Sequence, residues 1–124
     1  MSLVLWSCSG GRQDSMTSDR DLAVPVAQLS SAEAKANGRA LFVDKCALCH
    51  GVNADGRGVR RTALSGKPIN FGSSDWRAGA TAAGVYRVLR EGVQGSSMPA
   101  WPSFSETETW DLVAYVLSVS EEGP

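Results

Sequence analysis

Histidine is almost missing from this chain. Its 124 residues include one, His50, together with three cysteines, Cys8, Cys46 and Cys49. A structural zinc site takes four ligands, so one built here would have to recruit Cys8 from far away in the sequence. Aromatic side chains make up 7% of the residues, little for a domain that builds its core unaided. The charges nearly cancel, to a formal net −1, so there is no basic footprint for nucleic acid. No apolar run approaches the roughly 20 residues of a membrane-spanning helix. There is no internal repeat and no convincing strand alternation. These absences leave one soluble globular domain with a tail.

What the chain does have is concentrated in Cys46-Ala47-Leu48-Cys49-His50-Gly51. C-x-x-C-H is the attachment signature of a c-type haem. Two thiols at this spacing can add across the two vinyl groups on one porphyrin edge. The histidine after the second thiol is then held under the iron and can coordinate it through a ring nitrogen. Gly51 lets the chain turn tightly beside the ring. Competing readings are a thioredoxin-like redox pair, which belongs on a βαβ pattern not found here, and half of a zinc site. A haem would also supply the apolar mass that the aromatic count lacks.

The chain divides into three parts: 1–29, 30–120 and 121–124. The first opens on an apolar run, Leu3-Val4-Leu5-Trp6-Ser7-Cys8, which resembles a bacterial lipoprotein signal with Cys8 as the acylated residue. The run is short and lacks a basic flank, so an incidental thiol in a disordered tail is the alternative. Residues 9–29 read as a flexible linker with little regular structure, Pro25 interrupting an apolar patch of Leu22, Ala23, Val24 and Val26. A tether of this kind lets an anchored domain swing between partners.

A capping box at Ser30-Ser31-Ala32-Glu33 predicts a first helix from Ser30 into Cys46. Gly38 and Phe42 share a face of it. Glycine in mid-helix costs about 1 kcal/mol against alanine, which close approach of another helix would explain. Residues 51–80 are loop-like, with turns at Asp55-Gly56-Arg57-Gly58 and Ser65-Gly66-Lys67-Pro68 and a short helical turn after Ser73. A second helix is expected from Thr81 to Glu91, with Val85, Val88 and Leu89 as its apolar stripe and Gly92 as its C-cap. Gly95-Ser96-Ser97-Met98-Pro99-Ala100-Trp101-Pro102 is an extended loop. A second capping box, Ser105-Glu106-Thr107-Glu108, starts a last helix that is apolar on several sides around Trp110, Val113, Ala114 and Leu117.

Taken in order, these residues resemble a class I (monohaem) cytochrome c domain of bacterial type, over roughly three quarters of the chain. Gly38-Arg39-Ala40-Leu41-Phe42 is similar to the Gly-x-x-x-aromatic of the family's N-terminal helix. Cys46 to Gly51 is its haem motif, Met98-Pro99 its distal-ligand loop, and Trp110 to Val116 its C-terminal helix. The resemblance implies an all-α fold of three to five helices around one covalently bound haem c. It makes Cys46 and Cys49 the thioether carriers, His50 the proximal iron ligand and Met98 the distal one. Gly38 and Phe42 would then cross the last helix near Leu112 and Tyr115. A carbonyl near Pro68 would accept the free ring N–H of His50.

For Met98 the other candidates are poor: Met1 and Met16 lie in the tail, and Lys35, Lys45 and Lys67 are normally protonated. The competing reading is Met98 as core packing under five-coordinate iron. Phe71 and Tyr86 are expected to line the pocket. Trp76 and Trp101 either donate to haem propionates or simply pack. Arg57, Arg60 and Arg61 either flank the haem edge and steer an acidic partner, or form a solvated loop.

The expected function is single-electron transfer, not enzymatic catalysis, between respiratory or periplasmic redox partners such as an oxidase, dehydrogenase or reductase. Haem attachment of this kind implies export, with membrane anchoring through Cys8 as one option. The alternatives are a gas or peroxide sensor or enzyme with a labile distal Met98, and an electron-entry module of a larger oxidoreductase complex.

Overall fold

The computed structural model describes residues 22–122. Six α-helices and one 3₁₀ turn occur among them, and no strand: α1 (Val26–Ser30), α2 (Ala32–Lys45), α3 (Ala47–His50), the 3₁₀ turn Arg61–Ala63, α4 (Ser74–Gly79), α5 (Ala82–Glu91) and α6 (Glu106–Glu122). The all-α architecture is the expected one. The six helices exceed the three to five anticipated because two short ones, α1 and α3, flank the predicted first helix. Cys8 lies outside the described residues.

Local chemistry accounts for the helix starts. α2 begins one residue later than predicted: Ser31, not Ser30, is its N-cap, accepting from the Ala34 amide at 3.3 Å. Ser30 instead closes α1, its hydroxyl donating to the Val26 carbonyl. α1 falls where little regular structure was expected. Gln28 holds it, donating to the Thr107 carbonyl at 3.0 Å and to Asp111 Oδ1 at 2.9 Å, while Leu22, Val24 and Leu29 pack on the core. Thr81 caps α5 through the Gly84 amide. At α6 the capping box is reciprocal: the Ser105 amide donates to Glu108 Oε1 at 2.9 Å, and the Glu108 amide to Ser105 Oγ at 3.0 Å.

The crossing of α2 and α6 is the backbone of the fold. A Cβ on Gly38 would strike the Asp111 carbonyl group and lie 2.9 Å from Tyr115 Cβ. Only glycine permits this approach, which answers the cost of placing it in mid-helix. One turn on, Phe42 is buried against the Tyr115 ring at 5.2 Å. Trp110, Leu112, Val113, Ala114 and Val116 are all buried, so α6 is enclosed on several sides, as its apolar girth predicts. Tyr86 stacks on Trp110 at 4.2 Å, joining α5 to the same core.

Candidate haem site

The C-x-x-C-H segment is the joint between α2 and α3. The Cys46 amide still donates to the Phe42 carbonyl at 2.8 Å, and the Cys46 carbonyl accepts from the His50 amide at 2.9 Å, starting a new turn. Gly51 ends that turn at φ +84°, where a Cβ would run into the Asp55 carboxylate. This is the position at which the motif requires a glycine. The loop beyond it folds back: the Gly56 amide donates to the His50 carbonyl at 2.7 Å, and the Phe71 amide to the Ala54 carbonyl at 2.9 Å.

That return brings a carbonyl to the histidine. His50 Nδ1 lies 3.3 Å from the Ile69 oxygen. A carbonyl can only accept, so Nδ1 carries the proton and Nε2 keeps its lone pair free for a metal. The acceptor was expected near Pro68 and is its neighbour. The ring sits between Phe71 at 4.9 Å and Phe42 at 6.1 Å. Burial pushes the His50 pKa below its ordinary value of 6.5, against the upward pull of the Ile69 hydrogen bond. The Cys46 thiol is pushed up to about 11, first by burial and then by Cys49. Both shifts favour the neutral forms that an apolar wall demands.

Cys46, Cys49 and His50 line a cavity of about 400 Å³, and Met98 lines the same cavity. Its volume is in the range of cofactor sites. Phe42, Phe71, Val85, Val88, Leu89, Leu112 and Val116 supply most of the apolar surface. Pro68, Trp76 and Trp101 are also on the wall, Trp76 edge-on to Phe71 at 4.9 Å. Trp101 is stacked on Phe104 at 5.3 Å, and its indole Nε1 is buried without a partner. An orphaned buried donor beside an apolar cavity calls for an acceptor that arrives with a ligand. Thiols at porphyrin spacing, a free imidazole nitrogen, a thioether and this donor together fit a haem with its propionates.

Two expectations need correction. Tyr86 does not line the cavity: in α5 it is turned away from the Val85, Val88 and Leu89 face, towards Trp110, with the Arg90 guanidinium 5.8 Å from its ring. Arg57, Arg60 and Arg61 are exposed but are not on the cavity wall. Arg61 is spent on its own loop, donating to the Arg57 and Gly58 carbonyls. The cations at the rim are Lys45 and Lys67. Sequence reasoning also passed over Ser65, Ser96 and Ser97 on the wall, which carry no periodic or motif signal. No set of three His, Cys, Asp or Glu side chains that could hold a metal occurs among the described residues, so the zinc reading gains nothing.

An all-helical wrap around an apolar cavity, with C-x-x-C-H in its wall, defines a class I cytochrome c domain: an electron-transfer domain carrying a covalently attached c-type haem. The family described as "Cytochrome C oxidase, cbb3-type, subunit III" matches residues 33–116, and the chain belongs to it. The cbb3-type cytochrome c oxidase subunit FixP of Azorhizobium caulinodans is 30% identical over 99 residues, covering 73% of this chain and 31% of FixP. The chain therefore spans about a third of that relative's length. In the solved Kuenenia stuttgartiensis reducing HAO-like protein complex, a chain superposes with a TM-score of 0.65 at 26% identity, over 72% of this chain and 44% of that one.

Proposed function

We propose that the chain is a one-electron carrier in which Cys46 and Cys49 hold the haem, His50 is the proximal ligand and Met98 the distal ligand. The observation that carries this reading is the convergence of all four side chains on one apolar cavity. The haem supplies the ferric–ferrous couple. The chain's own residues hold it still. The Ile69 carbonyl fixes the His50 tautomer and raises its basicity. The apolar wall excludes water and disfavours the extra charge of the ferric state. Trp101 Nε1 donates to a propionate, and Pro68, Phe71 and Trp76 pack against the ring.

The domain works in a redox assembly of the oxidase kind, as its likeness to the oxidase subunit FixP suggests. Partners meet it transiently at the thioether edge, and it performs no catalysis of its own. Residues 22–29 dock on the haem domain through Leu22, Val24, Leu29 and the Gln28 hydrogen bonds, and haem attachment takes place outside the cytoplasm. No helix among the described residues is long and apolar enough to cross a membrane, and Cys8 is one candidate for anchoring.

The test is an absorption spectrum of the exported protein and of Met98→Ala. The expected wild-type result is a weak far-red ferric band and no response of the ferrous form to carbon monoxide. Met98→Ala is expected to lose the band, bind carbon monoxide and have a lower midpoint potential. A carbon monoxide response in the wild-type protein would give the site to a sensor or enzyme instead.

A further inference from the structure

We infer that Ser97 is a positioning residue whose clasp on Ser65 ties the two axial-ligand segments of the haem site together. The inference rests on the His50/Met98 reading above. It begins from a reciprocal pair of hydrogen bonds between segments far apart in sequence. The Ser65 amide donates to Ser97 Oγ at 2.8 Å, and the Ser97 amide donates to the Ser65 carbonyl at 3.1 Å. Neither segment is helix or strand, so no ladder holds them together.

The loop on one side of the clasp is tied internally. The Val93 amide donates to the Met98 carbonyl at 3.1 Å. Ser96 Oγ donates to the Val93 carbonyl at 2.8 Å and accepts from the Met98 amide at 3.2 Å. Residues 93–98 therefore move as one body. Their far end is fixed to α5, where the Trp101 amide donates to the Leu89 carbonyl at 2.7 Å. Their near side faces the 65–69 stretch across the cavity mouth, and the clasp is the hydrogen-bonded link between them among the described residues.

The other side of the clasp leads to the proximal ligand. Four residues after Ser65 comes Ile69, whose carbonyl accepts from His50 Nδ1. Pro68 lies between, with its φ locked and Lys67 before it restricted to extended backbone. Gly66, at φ +87°, makes the turn after Ser65, and the restricted Lys67-Pro68 pair carries the chain from there to Ile69, so the path from clasp to acceptor is four residues long. One pair of hydrogen bonds joins the loop that carries Met98 to the carbonyl that orients His50. Releasing it loosens the distal bond and shifts the proximal acceptor together.

The experiment compares the haem-bearing wild-type protein with Ser97→Ala, which removes the acceptor of the Ser65 amide, and Ser97→Thr, which keeps a hydroxyl. Loss of one net hydrogen bond corresponds to about a fivefold change in loop opening. Ser97→Ala is therefore expected to raise the apparent affinity of the ferric protein for added imidazole, which competes with Met98, about fivefold and to lower the pH at which the far-red band is lost. It should also speed exchange of the Ser65 amide about fivefold and shift the midpoint potential, with Ser97→Thr restoring all four readouts. An unprotected Ser65 amide in the wild-type protein would overturn the clasp. So would a Ser97→Ala protein with wild-type imidazole affinity and potential. A wild-type protein without the far-red band would overturn the ligand reading itself, and the clasp with it.

Discussion

Replacing Gly38 by alanine sets two known effects against each other at one atom. In an exposed helix interior the change stabilises by about 1 kcal/mol, because alanine loses less backbone entropy on folding. Here the new methyl would run into the Asp111 carbonyl group, with the carbonyl carbon 2.6 Å away and Tyr115 Cβ at 2.9 Å. The obstacle is backbone in the middle of α6, not the end of a flexible side chain. Relief requires α6 to move off α2. Overpacking of this kind costs about 1–3 kcal/mol, and a rigid obstacle places it at the upper end. The propensity gain offsets about a third, leaving a net loss of about 2 kcal/mol.

The displaced helix carries Leu112 and Val116, which line the haem cavity, so the haem environment should loosen as well. Urea unfolding followed by far-ultraviolet circular dichroism and by haem absorption measures both effects. The comparator is Asn37→Ala, exposed in the same helix next to Gly38, where the expected change is within about ±0.5 kcal/mol. A Gly38→Ala protein as stable as wild type would refute the close crossing on which the site's geometry depends.

Three further outcomes are expected. Ser105→Ala and Glu108→Ala should each destabilise, the first by about 1 kcal/mol, and the double variant should lose less than the sum because the two side chains share one reciprocal cap. Trp101→Phe keeps the stack on Phe104 but removes the buried donor, so a propionate that loses this hydrogen bond should titrate at higher pH. The pH dependence of the midpoint potential should move accordingly, and an unchanged profile would count against the assignment. In the haem-free chain, where no iron occupies Nε2, burial holds His50 below 6.5 in the folded state, whereas the unfolded chain takes up its proton near 6.5. The unfolded state then binds more protons, so unfolding free energy should fall between about pH 7.5 and 5.5, and a flat urea midpoint over that span would contradict it.

The parts of the site written contiguously were legible. Thioether chemistry demands two thiols and a histidine at fixed spacing, so Cys46, Cys49 and His50 stand out without a fold. Caps are equally local, and the Ser105–Glu108 box and the Thr81 start lie as read. Gly38 advertised the crossing because its cost needed a cause. The partner of His50 was placed near Pro68 and is the Ile69 carbonyl; a loop has no periodicity to say which carbonyl of the stretch faces inward. Tyr86 was misplaced because the inward face of α5 is fixed by packing against Trp110, a contact 24 positions away in the sequence. α1 was hidden for a similar reason: its five residues owe their place to Gln28 bonds that reach α6. Of the two readings of Arg57, Arg60 and Arg61, the exposed loop is the one found, with Arg61 bonded to that loop, and the cavity's cations are Lys45 and Lys67, which no local signal marked.

The crossing at Gly38 also dictates an order of assembly. Its partner, Asp111, is 73 positions further along the chain. Closing a loop of that length costs about 4 kcal/mol in chain entropy before any contact rewards it. In the interval before α6 docks, α2 has nothing to close against. Cys46, buried and hard to ionise in the finished fold, is open to chemistry only in that interval. The thiols are thus presented on an unclosed chain, and the last helix, by docking, locks in a bond that must already have formed.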